Sequence, residues 1–155
     1  MQNQTRRTAL KILGTSCAAI SLPLKLSGFE PTPVKPIRLG VIADLHGGLA
    51  TDADSRLDQF LNSMAKQKVD ALVQLGDFAY PNQKHQRFSD KFNAAHENTI
   101  HVIGNHEFDF GLGRKNCFQA WGIKSAYYQR DIGEIRILVL DGNEKNSPTY
   151  TGGYH

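Results

Sequence analysis

Cysteine is nearly absent: Cys17 and Cys117 are the only two in 155 residues. Cys17 falls in an N-terminal leader, and a mature chain left with one cysteine cannot close an internal disulfide in any compartment. No apolar run is long and uninterrupted enough to cross a membrane as a helix, so a stable span is excluded. Repeats and low-complexity tracts are missing too, and the length suits one domain with a modest core. Basic residues exceed acidic ones only slightly, 18 against 15. That excess is local, because Arg6, Arg7, Lys11 and Lys25 all precede the first acidic residue, Glu30. Without those four, 14 basic residues face 15 acidic ones, and a near-neutral body argues against a nucleic-acid-binding face.

The leader itself is informative. Thr5-Arg6-Arg7-Thr8-Ala9-Leu10-Lys11 precedes a weakly apolar stretch, Ile12 to Leu26, broken by small residues. Paired arginines, a short apolar region and then Lys25 resemble a bacterial twin-arginine export signal, which predicts a periplasmic or extracellular protein. Read instead as a frayed amphipathic segment, the same residues leave the protein cytoplasmic. Glu30-Pro31-Thr32-Pro33-Val34-Lys35-Pro36 carries too many prolines for a helix and reads as an extended tether. The expected division is a signal over residues 1–28, a tether over 29–36 and one domain over 37–155.

Within that domain, Ile37–Ala43 is a nearly continuous apolar run, as expected of a central strand covered on both faces. Asp52 and Asp54 offer N-caps to a helix through about Lys68, with Leu57, Phe60, Leu61 and Met64 on one face. Ala71–Leu75 reads as a second strand, giving a β-α-β unit with a parallel pair. A polar helix over roughly Gln83–Ala95, carrying solvated His85 and His96, leads to a third strand at Thr99–Ile103, where His101 reads as a core or sheet-edge residue. A Gly-rich loop, Phe108 to Gly113, precedes a short helix at Lys115–Trp121. Ala126–Arg130 and Glu134–Leu140 then flank Asp131-Ile132-Gly133 as an antiparallel hairpin. No further element is evident after Leu140. A sheet covered so sparsely leaves apolar surface exposed, so the domain reads as incomplete at its C-terminus.

Each apolar run delivers polar residues at its carboxyl end, the edge where open α/β sheets place their ligands. The first ends in Asp44-Leu45-His46, the second in Gly76-Asp77, the third in Gly104-Asn105-His106-Glu107. Asp44 and His46 are two apart, so in extended geometry both side chains point the same way and can grip one cation. With adjacent strands, Asp77 could bridge two cations and Asn105 could supply a neutral oxygen to the second. A mixed oxygen and nitrogen set without thiolate suits Mn²⁺, Fe, Zn²⁺ or Mg²⁺ and argues against a structural zinc knot. Two such ions about 3.5–4 Å apart clamp both oxygens of an in-line displacement and acidify a bound water.

Asp44-x-His46, Gly76-Asp77 and Gly104-Asn105-His106-Glu107, in this order, resemble the first three motifs of calcineurin-like metallophosphoesterases. The resemblance implies an α/β sandwich of mixed sheets flanked by helices. It also implies hydrolysis of a phosphomonoester or phosphodiester by metal-bound hydroxide at a binuclear centre of two divalent ions. Asp44 and His46 would hold the first ion, Asp77 would bridge and Asn105 would hold the second. His106 would stabilise the phosphoryl oxygens or protonate the leaving group. The partner implied is a small phosphorylated substrate, with Asn143 a candidate contact to it and Phe108, Phe110, Trp121, Tyr127 and Tyr128 candidates for its pocket wall or for plain packing.

Two departures from the family stand out. Many relatives carry, three residues after the bridging Asp, an Asp that orients the catalytic His; here that residue is Tyr80. This leaves Glu107 or Asp109 to orient His106 and puts Tyr80 behind the ligands. The family's later motifs, a lone His and a Gly-His-x-His, are not in these 155 residues. The alternatives are therefore a truncated, non-catalytic fragment or pseudoenzyme serving as a binding module and, within the fold, a nuclease.

Overall fold

The computed structural model describes residues 35–143. The leader, most of the tether and the Thr151-to-His155 ending lie outside them. Three parallel strands form the main sheet in the order β1-β2-β3: β1 is Leu39–Ile42, β2 Ala71–Gln74 and β3 Thr99–His101. Val41 pairs with Val73 and Val73 with Ile100. Helix α1, Ala53–Gln67, crosses from β1 to β2, and α2, Gln86–Ala95, from β2 to β3. Helix α3 is Arg114–Trp121, and the antiparallel hairpin pairs β4, Tyr128–Ile132, with β5, Ile135–Val139. Its turn is Gly133-Glu134, one residue later than the sequence suggests, because Ile132 pairs with Ile135. The three helices and five strands expected from periodicity are present, with strand ends displaced by one or two residues. None of the helices described is long and apolar enough to cross a membrane.

Side chains alternate across the pleat and so divide the core in two. Leu72 joins Leu57, Phe78, Phe88 and Phe92 under the helices, with Phe60, Leu61 and Met64 packed at the margin, so the helical stripe read from the sequence is core. On the other face Val73 and Ile100 pack against Val139 of the hairpin. The first strand departs from expectation. It is an edge of the sheet among the described residues, and Leu39 and Val41 are exposed; β2, buried throughout, is the central strand. An apolar run reports what a strand can bury, not which neighbours it has. Asp54 lies inside α1 and pairs with Arg87, while Asp52 holds the N-cap position without a side-chain cap bond.

Two histidines expected in solvent are engaged instead. His85 is buried, its imidazole 3.0 Å from the Asn82 carboxamide oxygen. His96 lies 3.1 Å from the Val69 carbonyl and accepts the Asn98 N–H. His101 is fully buried and stacked on Trp121 at 5.3 Å. It accepts from the Gln74 amide and donates to Asn93 Oδ1, an arrangement that requires the neutral ring. Burial, helped by Arg130, pulls its pKa down to about 4. The unfolded chain, with an ordinary histidine, therefore takes up the proton first as pH falls. Stability from this group is complete above about pH 6.5 and is lost toward pH 4, by about 3 kcal/mol at most. Denaturant titrations of wild type and His101→Gln across pH 4–7 should differ in slope by this one proton.

Candidate metal centre

The loops after β1, β2 and β3 meet at the carboxyl edge of the sheet, and backbone bonds zip the first two together. The amide of Asp44 donates to the Gly76 carbonyl, that of His46 to Asp77 and that of Gly47 to Phe78. From the other side, the Arg56 guanidinium on α1 donates to the Leu45 carbonyl at 2.7 Å. Asp44, His46 and Asp77 all take left-handed backbone conformations, with φ of 54°, 53° and 51°. For residues other than glycine such conformations are uncommon and cost about 1–3 kcal/mol each, so this local strain is concentrated at one spot. Extended geometry is therefore not what aligns Asp44 with His46. Both lie past the end of β1, and the turn itself brings Asp44 Oδ1 to 3.9 Å from His46 Nε2.

Ligating atoms of His46, Asp77 and His106 lie within 4.8 Å of one another. The Asp44 carboxylate stands beside this trio and is largely exposed. Asn105 is exposed at the N-cap of a short 3-10 turn, and its carboxamide makes no cap bond there. Nitrogen and oxygen donors without thiolate fit a hard or borderline divalent cation. Cys117 is fully buried apart from this cluster among apolar side chains, and its thiol is pushed up to about 12 by desolvation.

The third loop closes against the second with almost no clearance. Gly76 has φ of 103°, and a Cβ there would come within 2.7 Å of the Gly104 backbone. A Cβ on Gly104 would strike the backbone and carboxylate of Asp77. Glu107 then fastens the contact from beneath. Its buried carboxylate accepts the amides of Asp77 at 3.0 Å, Phe78 at 2.7 Å and Gly104 at 2.8 Å. Burial pushes its pKa up to about 7, while those amide donors pull it down and the Asp77 charge adds to the rise. Glu107 is thus committed to the backbone and does not orient His106.

Asp109 does. His106 Nδ1 donates to Asp109 Oδ2 at 2.8 Å, and the His106 amide donates to Asp77 Oδ1 at 3.0 Å. The hydrogen bond to Asp109 raises the imidazole pKa, partial desolvation opposes it, and the Asp77 carboxylate adds to the rise. The His106 ring meets that of His46 edge-on at 5.1 Å. Tyr80 lines the same cavity as His46, Asp77 and His106 and touches Phe110 and His85 edge-on. Desolvation, then the Asp109 charge, raises its phenol further, so it is protonated at neutral pH.

The family model for calcineurin-like phosphoesterases matches residues 37–153. The chain belongs to this family. No curated protein matches it. A dimetal phosphatase from Danio rerio, known from its crystal structure, is similar at a TM-score of 0.52 and 19% identity, over 74% of this chain and 49% of that one. At this identity the likeness speaks for the fold alone, and the chain spans about half of that protein's length. The parallel sheet flanked by helices is the calcineurin-like fold. Within this family domain, His46, Asp77 and His106 form a candidate ligand group for a metal ion.

Other candidates fall behind or beside this cluster. Asn143 donates from its carboxamide to the Ile103 carbonyl and to Asp141, so only its oxygen is left to offer a substrate. Trp121 and Tyr128 pack around His101, and Phe108 lies under Arg114. Of the candidate wall aromatics, Phe110 meets Tyr80, which lines the cavity, at a ring-centroid distance of 5.2 Å. The supporting residues Arg56 and Gln74 were not apparent from sequence. Gln74 accepts the Gly76 amide at 2.7 Å and so ties the second loop to buried His101. Its one sequence signal is an amide inside an otherwise apolar strand.

Proposed function

We propose that the protein hydrolyses a phosphomonoester or phosphodiester at a centre of two divalent ions, Mn, Fe, Zn or Mg. In this reading Asp44 and His46 hold one ion, Asn105 the other, and Asp77 spans both. Bound there, such ions acidify a water and neutralise charge on the phosphoryl oxygens. The chain's own contribution is positioning and proton transfer. Glu107 holds the Asp77 and Gly104 backbones in register, and His106, steadied by Asp109, donates a proton toward the leaving oxygen. The observation that carries the reading is the convergence of three strand-end loops on His46, Asp77 and His106.

Asp77→Asn is the decisive variant, because it halves the oxygen ligands a bridge requires while keeping shape. Hydrolysis of an activated aryl phosphate is expected to rise with added Mn²⁺ in wild type and to fall to background in this variant. No turnover above background in wild type would instead favour a non-catalytic binding module, and turnover that is metal-independent or equal in both would overturn the bridging role of Asp77. Export through a twin-arginine route belongs to the same proposal and rests on Arg6-Arg7 and the apolar stretch after them. Fractionation of the periplasm tests it.

A further inference from the structure

Phe110 is placed where neither folding nor backbone preference favours a phenylalanine. It is 85% exposed, and its φ of 57° and ψ of 29° put a bulky side chain in the left-handed region. The cause lies one residue earlier. Asp109 leaves the 3-10 turn with ψ of 154° while its carboxylate holds His106, and the chain reverses at Phe110. The ring is exposed and meets Tyr80 in a T-shaped contact, 5.2 Å between centroids and 78° between planes. Tyr80 lines the cavity that also contains His46, Asp77 and His106, and so does Leu49, itself 61% exposed. Leu49 is held one turn from His46, whose carbonyl accepts its amide at 2.9 Å. An apolar rim of Phe110, Tyr80 and Leu49 therefore borders a cluster otherwise made of carboxylates and imidazoles.

We infer that this rim is the subsite for the organic part of the ester, and that the group it takes is a planar aromatic ring. The inference rests on the proposed phosphoryl chemistry and adds the substrate class to it. A ring carried by a phosphoryl group at His46, Asp77 and His106 would meet this rim, where Leu49 and Tyr80 line the cavity and Phe110 stands against Tyr80. The T-shaped contact with Tyr80 leaves Phe110 85% exposed, and the exposed ring suits offset stacking. A polyol or small alkyl group would gain little from the same surface and would leave Phe110 in water.

The test uses non-hydrolysable probes, so that binding is read apart from turnover. Phenylphosphonate and methylphosphonate are titrated calorimetrically into the Mn²⁺-loaded full chain. Phenylphosphonate is expected to bind about tenfold more tightly, the scale of one stacked and desolvated ring. In Phe110→Ala this preference collapses toward unity, and in Phe110→Trp it returns. Because Phe110 is exposed, neither variant is expected to unfold the domain. A preference that survives Phe110→Ala overturns the assignment of this rim. Equal affinities in wild type overturn the subsite but leave the phosphoesterase reading standing. Binding of neither probe overturns both.

Discussion

His106→Ala is expected to lower turnover of a phosphoric ester by about 10²–10⁴-fold, the loss that removal of a positioned acid–base group brings. The imidazole lies close enough to His46 and Asp77 to share an ion with them, but its Nδ1 is already committed to Asp109. The variant should therefore retain its metal, read by elemental analysis of the same preparation. Loss of metal in parallel with turnover would make His106 a ligand instead. The pH profile gives an independent check. Asp109 raises the His106 pKa, so the proton-donating form persists to higher pH than an ordinary histidine allows. Asp109→Asn removes that support, and the alkaline limb of the rate profile should move to lower pH. A limb that stays in place would detach His106 from the proton transfer.

Glu107→Ala is expected to act on the fold first and on the metal through it. It removes the acceptor of three buried amide bonds, those of Asp77, Phe78 and Gly104. An unsatisfied buried donor costs about 1–3 kcal/mol, and water entering the gap recovers part of the sum. A loss of about 3 kcal/mol follows, which for a domain of this size lowers Tm on the order of 10 °C. Because the same amides belong to the turn that presents Asp77, metal affinity should fall as well, by roughly 10–100-fold, as it does when ligand orientation is lost. Glu107→Gln keeps one acceptor oxygen and should lie between the two. If Glu107→Ala melts like wild type, the three hydrogen bonds are not what joins the loops.

Periodicity and punctuation made much of this legible in the sequence. The apolar runs at Ile37–Ala43, Ala71–Leu75 and Thr99–Ile103, separated by amphipathic segments, predict parallel strands with helical crossovers. The polar residues at their ends mark the candidate site, since in a parallel sheet those ends share one edge. Such signals are local: each depends on residues within a turn or two of one another.

What sequence could not decide depends on which segments meet. Glu107 reads as one more charge beside a histidine until the Asp77 and Phe78 amides, from a distant loop, are found on its carboxylate. His85 and His96 read as solvated because a helical face shows no sign of what lies against it. Val41 reads as interior, yet its strand is an edge among the described residues. The left-handed turns at Asp44, His46 and Asp77 are equally invisible, since nothing in those side chains demands φ near +50°. The sequence alone determined the order of elements and the edge where their ends converge, because apolar spacing is written along the chain. Tertiary structure alone decided which carboxylate steadies the imidazole and which supports the backbone, because hydrogen-bond geometry exists only once distant loops are packed together.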